Sequence, residues 1–332
     1  MESEAVRDLP PGLGPWGVSP SGESYFGAVG PDFCIWESRT GILMDEVEER
    51  CTTEPVAYEC DLGTHAACTW VAFGCRKKLK IWRVGAPRAE AVPLGGPAER
   101  VAWGLTHRRL LVTERMGDSS VVALYAADAN QGWLRTHCWA NDCVSVATFP
   151  YSVVVADASG VWGALRTRDF PERFGERAAP DTPGAVDPLP RGAPAVHTLH
   201  PRRGALAAVA QDRVYLFSWR CIHCSDCRGA GYCPGQCWDV EGSYQARLCT
   251  PWGPRGLCIM PPPAAPDGPL SLLWLEQPDG PAHTIPLPLP PGSGCEPHLL
   301  AWGPDDTICV AWRVRGAGQQ LMFVGLDGRV VV

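Results

Sequence analysis

The sequence predicts an all-β protein, a seven-bladed β-propeller, on three observations. Apolar runs of about five to eight residues, rich in Val, Ile, Leu and aromatics, recur between turn signals, the signature of short strands packed on both faces. A four-residue turn with Pro second recurs as "SPSG", "FPYS", "HPRR", "GPRG" and "GPDD", each between two apolar runs. A landmark aromatic returns at intervals of 37 to 57 residues. That is near the roughly 40–45 residues of a four-stranded blade, with the longer intervals left to insertions.

The elements follow in order. The first unit, "WGVSPSGESYFGAVGPDFCIWESRTGILMDEV" (16–47), reads as strand, Ser-Pro-Ser-Gly turn, strand, Gly-Pro break, strand ending at Trp36, Thr-Gly turn and a fourth strand. The Pro presets φ at the second turn position, and the small polar residues around it complete a tight reversal. Four further copies carry Trp82, Tyr125, Trp162 and Phe217, and a fifth, with the long hairpin loop "IMPPPAAPDGPL" (259–270), carries Trp274. The last, "LLAWGPDDTICVAWRVRGAGQQLMFVGLDGRVVV" (299–332), repeats the grammar of the first with Phe323 at the position of Trp36. Residues 1–15 read as a lead-in, 16–332 as a single propeller domain, and 329–332 as the outer strand of the last blade. A β-sandwich with a small second domain is the competing architecture.

The resulting pattern resembles the WD-repeat β-propeller family. It does so through the Ser-Pro-Xaa-Gly turn at 19–22, the strand ends "CIWE" (34–37) and "KIWR" (80–83), and the spacing. The resemblance is degenerate: no Gly-His dipeptide opens a repeat, and no landmark Trp is followed by Asp. It implies that the buried Asp–His–Ser–Trp network of regular members is missing. Stability would then rest on apolar packing between blades, with the landmark aromatics as wedges.

Composition agrees with a turn-rich fold: 36 Gly, 33 Pro and 14 Trp against five Met, with an apolar fraction of 45%. The net charge of −7 argues against a protein that coats nucleic acid. No stretch of about eighteen apolar residues could span a membrane. The start, "MESEAVRDLPPGLG", is acidic and has no apolar secretory core, so the expected location is cytoplasmic and/or nuclear. In such a reducing compartment thiols bind metal or stay free more readily than they form disulfides.

Two stretches break the repeat. Residues 167–194 are Pro-rich and charged without apolar periodicity, a flexible linker between the fourth and fifth blades. This linker, or the loop at 259–270, is either a solvated spacer or a partner-binding polyproline ribbon. The second break is a Cys-rich insertion, 221–249, after the third strand of blade five. Cys221, Cys224, Cys227, Cys233 and Cys237 follow the spacing C-x2-C-x2-C-x5-C-x3-C. Two residues between cysteines let both thiolates reach one ion from a tight turn, and Zn²⁺ takes four ligands in a closed tetrahedron. The expected set is two of the first three cysteines with Cys233 and Cys237; His223 could replace one. Such a site is structural, a zinc knuckle that folds only with its metal. Reduced cysteines packed as small hydrophobes, disulfides, or an iron–sulfur cluster are the alternatives. Cys138, Cys143 and His137, and the pair Cys60 and Cys68, are looser groups that fit simple burial better than a second site.

No nucleophile elbow, phosphate-cradling loop, zincin helix or dinucleotide fingerprint is present. The expected function is therefore non-enzymatic: a protein–protein interaction scaffold within a larger complex, with the knuckle as docking element. Loops joining second to third strands carry Arg76, Lys77, Lys78, Arg115, Arg313 and Arg315, either a basic rim that steers acidic partners or charges that keep each loop soluble. The alternative is a zinc-containing nucleic-acid-associated factor using the knuckle and rim. Against it, the cysteine cluster holds only Arg228 and Tyr232 for charge neutralisation and stacking.

Overall fold

The computed structural model describes residues 6–60, 68–103, 109–128, 132–139, 143–148, 153–157, 160–162, 196–202, 205–210, 212–221, 236–252, 255–264, 268–277, 279–290, 294–315 and 318–331. Every regular element among them is a β-strand. β1 (Val6–Asp8) precedes the first sheet, β2 (Leu13–Val18), β3 (Ser24–Val29), β4 (Asp32–Glu37) and β5 (Leu43–Val47). The second is β6 (Val56–Cys60), β7 (Cys68–Cys75), β8 (Lys78–Arg83) and β9 (Glu90–Pro93). Next come β10 (Ala98–Trp103), β11 (Arg109–Met116), β12 (Ser119–Asp128) and β13 (Gly132–Trp139), then β14 (Cys143–Thr148), β15 (Val153–Asp157) and β16 (Gly160–Trp162). A further sheet holds β17 (Val196–Arg202), β18 (Ala205–Ala210), β19 (Arg213–Cys221) and β20 (Gln236–Gln245). The last two hold β21 (Leu248–Cys249), β22 (Leu257–Met260), β23 (Ser271–Leu275) and β24 (Ala282–Pro286), and β25 (Cys295–Trp302), β26 (Ile308–Val314), β27 (Gly318–Val324) and β28 (Val330–Val331). Each sheet is antiparallel and runs in chain order, except that β1 joins the last one, and all seven landmark aromatics fall on third strands.

The expectation of seven like blades needs correction. Six sheets carry the full complement of four strands or more, whereas β14–β16 has three among the described residues. After Trp162 the sequence offers no alternating apolar run for a fourth strand, only the charged, Pro-rich 167–194, which lies outside the described residues. Part of the 1–15 lead-in is itself a strand. β1 pairs with β27 (Val6↔Met322, Asp8↔Gln320), so the start of the chain supplies most of the outer edge of the last sheet. Within 329–332, only Val330 and Val331 pair there, against Val324 and Phe323. An open edge on β27 takes whichever segment can extend its ladder, and β1 has the longer run.

The expected single domain divides into two compact units: 1–101 with 247–276 and 281–332, and 102–246 with 277–280. In the first, three cores lie between successive sheets. Met260, Leu272, Ile285, Leu300, Trp302, Val310, Trp312, Met322 and Val324 join β21–β24 to the last sheet. Trp16, Tyr25, Trp36, Ala301, Cys309 and Leu321 join that sheet to β2–β5. Phe26, Phe33, Ile35, Val71, Phe73 and Trp82 join β2–β5 to β6–β9, with Phe33 and Phe73 stacked at 4.2 Å. Apolar wedges between sheets thus carry this unit, and Trp36, Trp82, Tyr125 and Phe217 are buried as the landmark reading requires, whereas Trp274 and Phe323 are half-buried. In the second unit the fully buried Glu114 accepts from the Tyr125 hydroxyl at 2.8 Å, with Arg135 4.0 Å away. A carboxylate buried so deeply persists only with such partners.

Candidate functional site

The second-to-third-strand hairpins are built from local sequence. β7 and β8 pair from Cys75↔Lys78 outward, leaving Arg76 and Lys77 as a two-residue tip. Arg76 takes φ of +54°, a left-handed conformation costing a side-chain-bearing residue about 1 kcal/mol. Arg76, Lys77 and Lys78 are exposed, and none is ion-paired among the described residues. Arg313 and Arg315 flank the equivalent hairpin of β26 and β27, also exposed and without an ion pair among the described residues. Arg115 is the penultimate residue of β11, next to the corresponding hairpin of the second unit. Inside the first unit, sheet β2–β5 separates the two basic hairpins, and its own tip is Gly30–Pro31. The five charges there form two clusters flanking a neutral hairpin.

Beside Arg313, the β25 bulge at His298 turns its ring against Trp16. Gln319 Oε1 accepts from Trp16 Nε1 at 2.9 Å and lies 3.0 Å from His298 Nε2. Because that oxygen is an acceptor, His298 carries its proton on Nε2, and its buried Nδ1 has no partner among the described residues. Burial first, then the positive charge of Arg313, lowers the His298 pKa. The imidazole is therefore neutral near pH 7, a positioning group for the start of β2 and β27.

The metal ligands expected from sequence are mostly beyond description. Cys224, Cys227 and Cys233 lie outside the described residues. Cys221 ends β19 and Cys237 is the second residue of β20, with Cys221 opposite Gln236 and Arg220 opposite Cys237. The insertion is shorter than 221–249, because 236–245 form β20 and 248–249 begin β21. Among the described residues no three His, Cys, Asp or Glu side chains group as a metal site would. Cys60 and Cys68 are direct register partners across β6 and β7. Among the other thiols Cys34 and Cys309 are buried and Cys51 and Cys249 half-buried; desolvation pushes Cys34 up to about 11 and Cys51, Cys249 and Cys309 up to about 12, far from reactive thiolates.

Sequence reasoning missed Arg255. It sits in the turn "GPRG", read only as a reversal, yet it ties three sheets together. Its guanidinium donates to the Gly303 carbonyl and, at 3.1 Å, to the Ser21 carbonyl, and pairs with Asp306 at 3.1 Å. It lies 5.9 Å from the Trp302 ring centroid, while its own carbonyl accepts from Trp274 Nε1. The turns meet closely, since a Cβ on Gly22 (φ +79°) would fall 2.2 Å from the Gly303 carbonyl carbon. On the far side Glu59 accepts from the backbone N–H and hydroxyl of Ser21. The Pro-turns thus carry a polar latch in addition to reversing the chain.

Sheet β2–β5 also exposes Ile42, Leu43 and Met44 (64, 47 and 58% accessible), where β5 pairs only with β4. The sequence places these residues in the fourth strand of the first unit (16–47) and gives no sign that three apolar side chains there stay uncovered.

Compared with solved structures, the chain has the fold of WD-repeat-like β-propellers. It aligns with the β-propeller domain of Cps50 (Swd1) from Myceliophteria thermophila at 12% identity and a TM-score of 0.59, over 96% of this chain and 98% of that one. A chain in the crystal structure of the mitotic checkpoint complex gives 14% and 0.56, over 96% and 90%. Hsv2 of Kluyveromyces lactis gives 13% and 0.53, over 93% and 96%. At these identities the likeness is one of fold. No family model and no curated protein matches the chain. Among the described residues no helix is long and apolar enough to cross a membrane.

Proposed function

We propose that this chain is a non-catalytic scaffold that docks acidic protein segments on its basic hairpin tips as a subunit of a larger intracellular complex, cytoplasmic or nuclear. One observation carries the reading: Arg76, Lys77, Lys78, Arg313 and Arg315 are exposed on second-to-third-strand hairpins without ion-pair partners among the described residues, on a chain of net charge −7. Local positive charge on an acidic protein speeds encounter with acidic partners and repels basic ones. The strained Arg76 is in keeping with this, since left-handed side-chain-bearing residues concentrate at functional tips. That one similar propeller was solved within the mitotic checkpoint complex supports a complex-bound role.

The loop between β19 and β20 is the second docking element, folded by a structural zinc ion. Two of Cys221, Cys224 and Cys227 with Cys233 and Cys237 would supply four thiolates at knuckle spacing, and the β19–β20 ladder fixes the two ends of the loop. Affinity purification from native cells tests both parts. Reversing all five cations to Glu should remove acidic partners that the wild type retains; equal retention overturns the docking reading. On the same samples, elemental analysis should give one zinc per chain. Cys233→Ser with Cys237→Ser should abolish it while the propeller's thermal unfolding stays nearly unchanged, and metal-free wild type sinks the knuckle.

A further inference from the structure

The outer strand β5 differs from every other described outer strand of the first unit. β9 ends in Pro93, β24 is bracketed by Pro281 and Pro286, and the last sheet's edge is divided between the three residues of β1 and the two of β28. Proline and short length are the usual ways of blunting a sheet edge so that nothing pairs with it. β5 has neither, and no Lys or Arg lies within it; its one irregularity is the register shift at Met44, between the Trp36↔Leu43 and Ile35↔Asp45 pairs. Instead it opens on Ile42, Leu43 and Met44, all exposed, and runs into an acidic half. There Asp45 is engaged by the Gly85 N–H and Glu49 by Lys80, whereas Glu46 and Glu48 are exposed and have no side-chain partner among the described residues.

We propose that β5 is a strand-addition site for an extended segment of a partner protein with alternating apolar and basic side chains. Main-chain bonds to the unpaired edge would supply affinity, apolar side chains would cover Leu43 and Met44, and Lys or Arg would meet Glu46 and Glu48. The sheet beneath is firm: Phe33, Ile35 and Trp36 of β4 are buried. The surface is separate from the basic hairpins and takes the opposite charge, so it extends the scaffold reading only in supplying a second class of ligand.

The probe is a fluorescein-labelled nine-residue peptide alternating Val and Lys, compared with its Val and Glu counterpart by anisotropy on the full chain. The basic peptide should bind at least about tenfold more tightly. Glu46→Lys with Glu48→Lys should cancel or invert that preference, and Leu43→Lys with Met44→Lys should weaken binding about tenfold or more. A basic peptide N-methylated at alternate amides should not bind. Equal binding of the two peptides, indifference to the β5 substitutions, or self-association of the chain through β5 in place of peptide binding overturns the proposal. The five-cation reversal should leave peptide binding intact. Peptide binding lost while hairpin-dependent partners are retained therefore sinks this inference alone, and the converse sinks only the hairpin reading.

Discussion

Replacing Arg255 with Met should remove the latch while keeping most of its aliphatic packing. Two half-buried hydrogen bonds from a charged donor, to the Gly303 and Ser21 carbonyls, contribute about 1 kcal/mol each after water replaces them. The pair with Asp306, whose side chain is 76% exposed, adds less than about 1 kcal/mol. The Trp302 contact adds about 0.5–1 kcal/mol. Together these put the loss at about 2–4 kcal/mol, or roughly 5–10 °C in Tm for a unit of this size. Urea unfolding monitored by Trp fluorescence measures it. Hydrogen exchange should quicken in the turns 19–22 and 303–307 before it does in the strands. Asp306→Asn is the control, removing only the exposed pair, and should cost under about 1 kcal/mol. If Arg255→Met costs less than about 1 kcal/mol, or no more than Asp306→Asn, the latch is not what joins these turns.

The same turns make Gly22 intolerant. Gly22→Ala should destabilise by more than about 2 kcal/mol in urea, because its Cβ meets backbone that cannot swing away and φ is left-handed. At the tip of β7 and β8 the opposite holds: Arg76→Gly should raise stability by about 0.5–1 kcal/mol while weakening acidic-partner binding, a split that simple surface charge would not produce. The desolvated thiols give a pH signature. Cys51, Cys249 and Cys309 stay protonated in the fold up to about 12 but titrate near their ordinary 9.0 when unfolded. Unfolding therefore releases protons above pH 9, and stability should fall as pH rises, by about 1.4 kcal/mol per unit for each thiol. A flat urea midpoint between pH 9 and 10.5 would contradict their desolvation.

How far the sequence could be read depended on the range of the physics involved. Alternation of apolar residues and Pro-turn chemistry act over a few residues, so strand order within each sheet was legible, as was the position of Trp36, Trp82 and Phe217 on third strands. The tip cations were legible for the same reason, since a hairpin turn is a local event. The count failed at β14–β16, where a repeat by spacing was mistaken for a full set of strands. The cysteine run could be recognised by spacing, yet spacing could not say that the ladder resumes at Gln236.

The sequence by itself determined the class of fold, the turns and the wedge aromatics, because each is specified by neighbours within about forty residues. Only the tertiary structure decided that β1 completes the sheet of β27 and that Arg255 reaches Ser21 across 234 positions. It also decided that Ile42, Leu43 and Met44 remain uncovered beside the exposed carboxylates of Glu46 and Glu48. Contacts between sheets depend on where distant turns come to rest, and no periodicity encodes that. An apolar residue looks the same in sequence whether a neighbouring sheet covers it or water does.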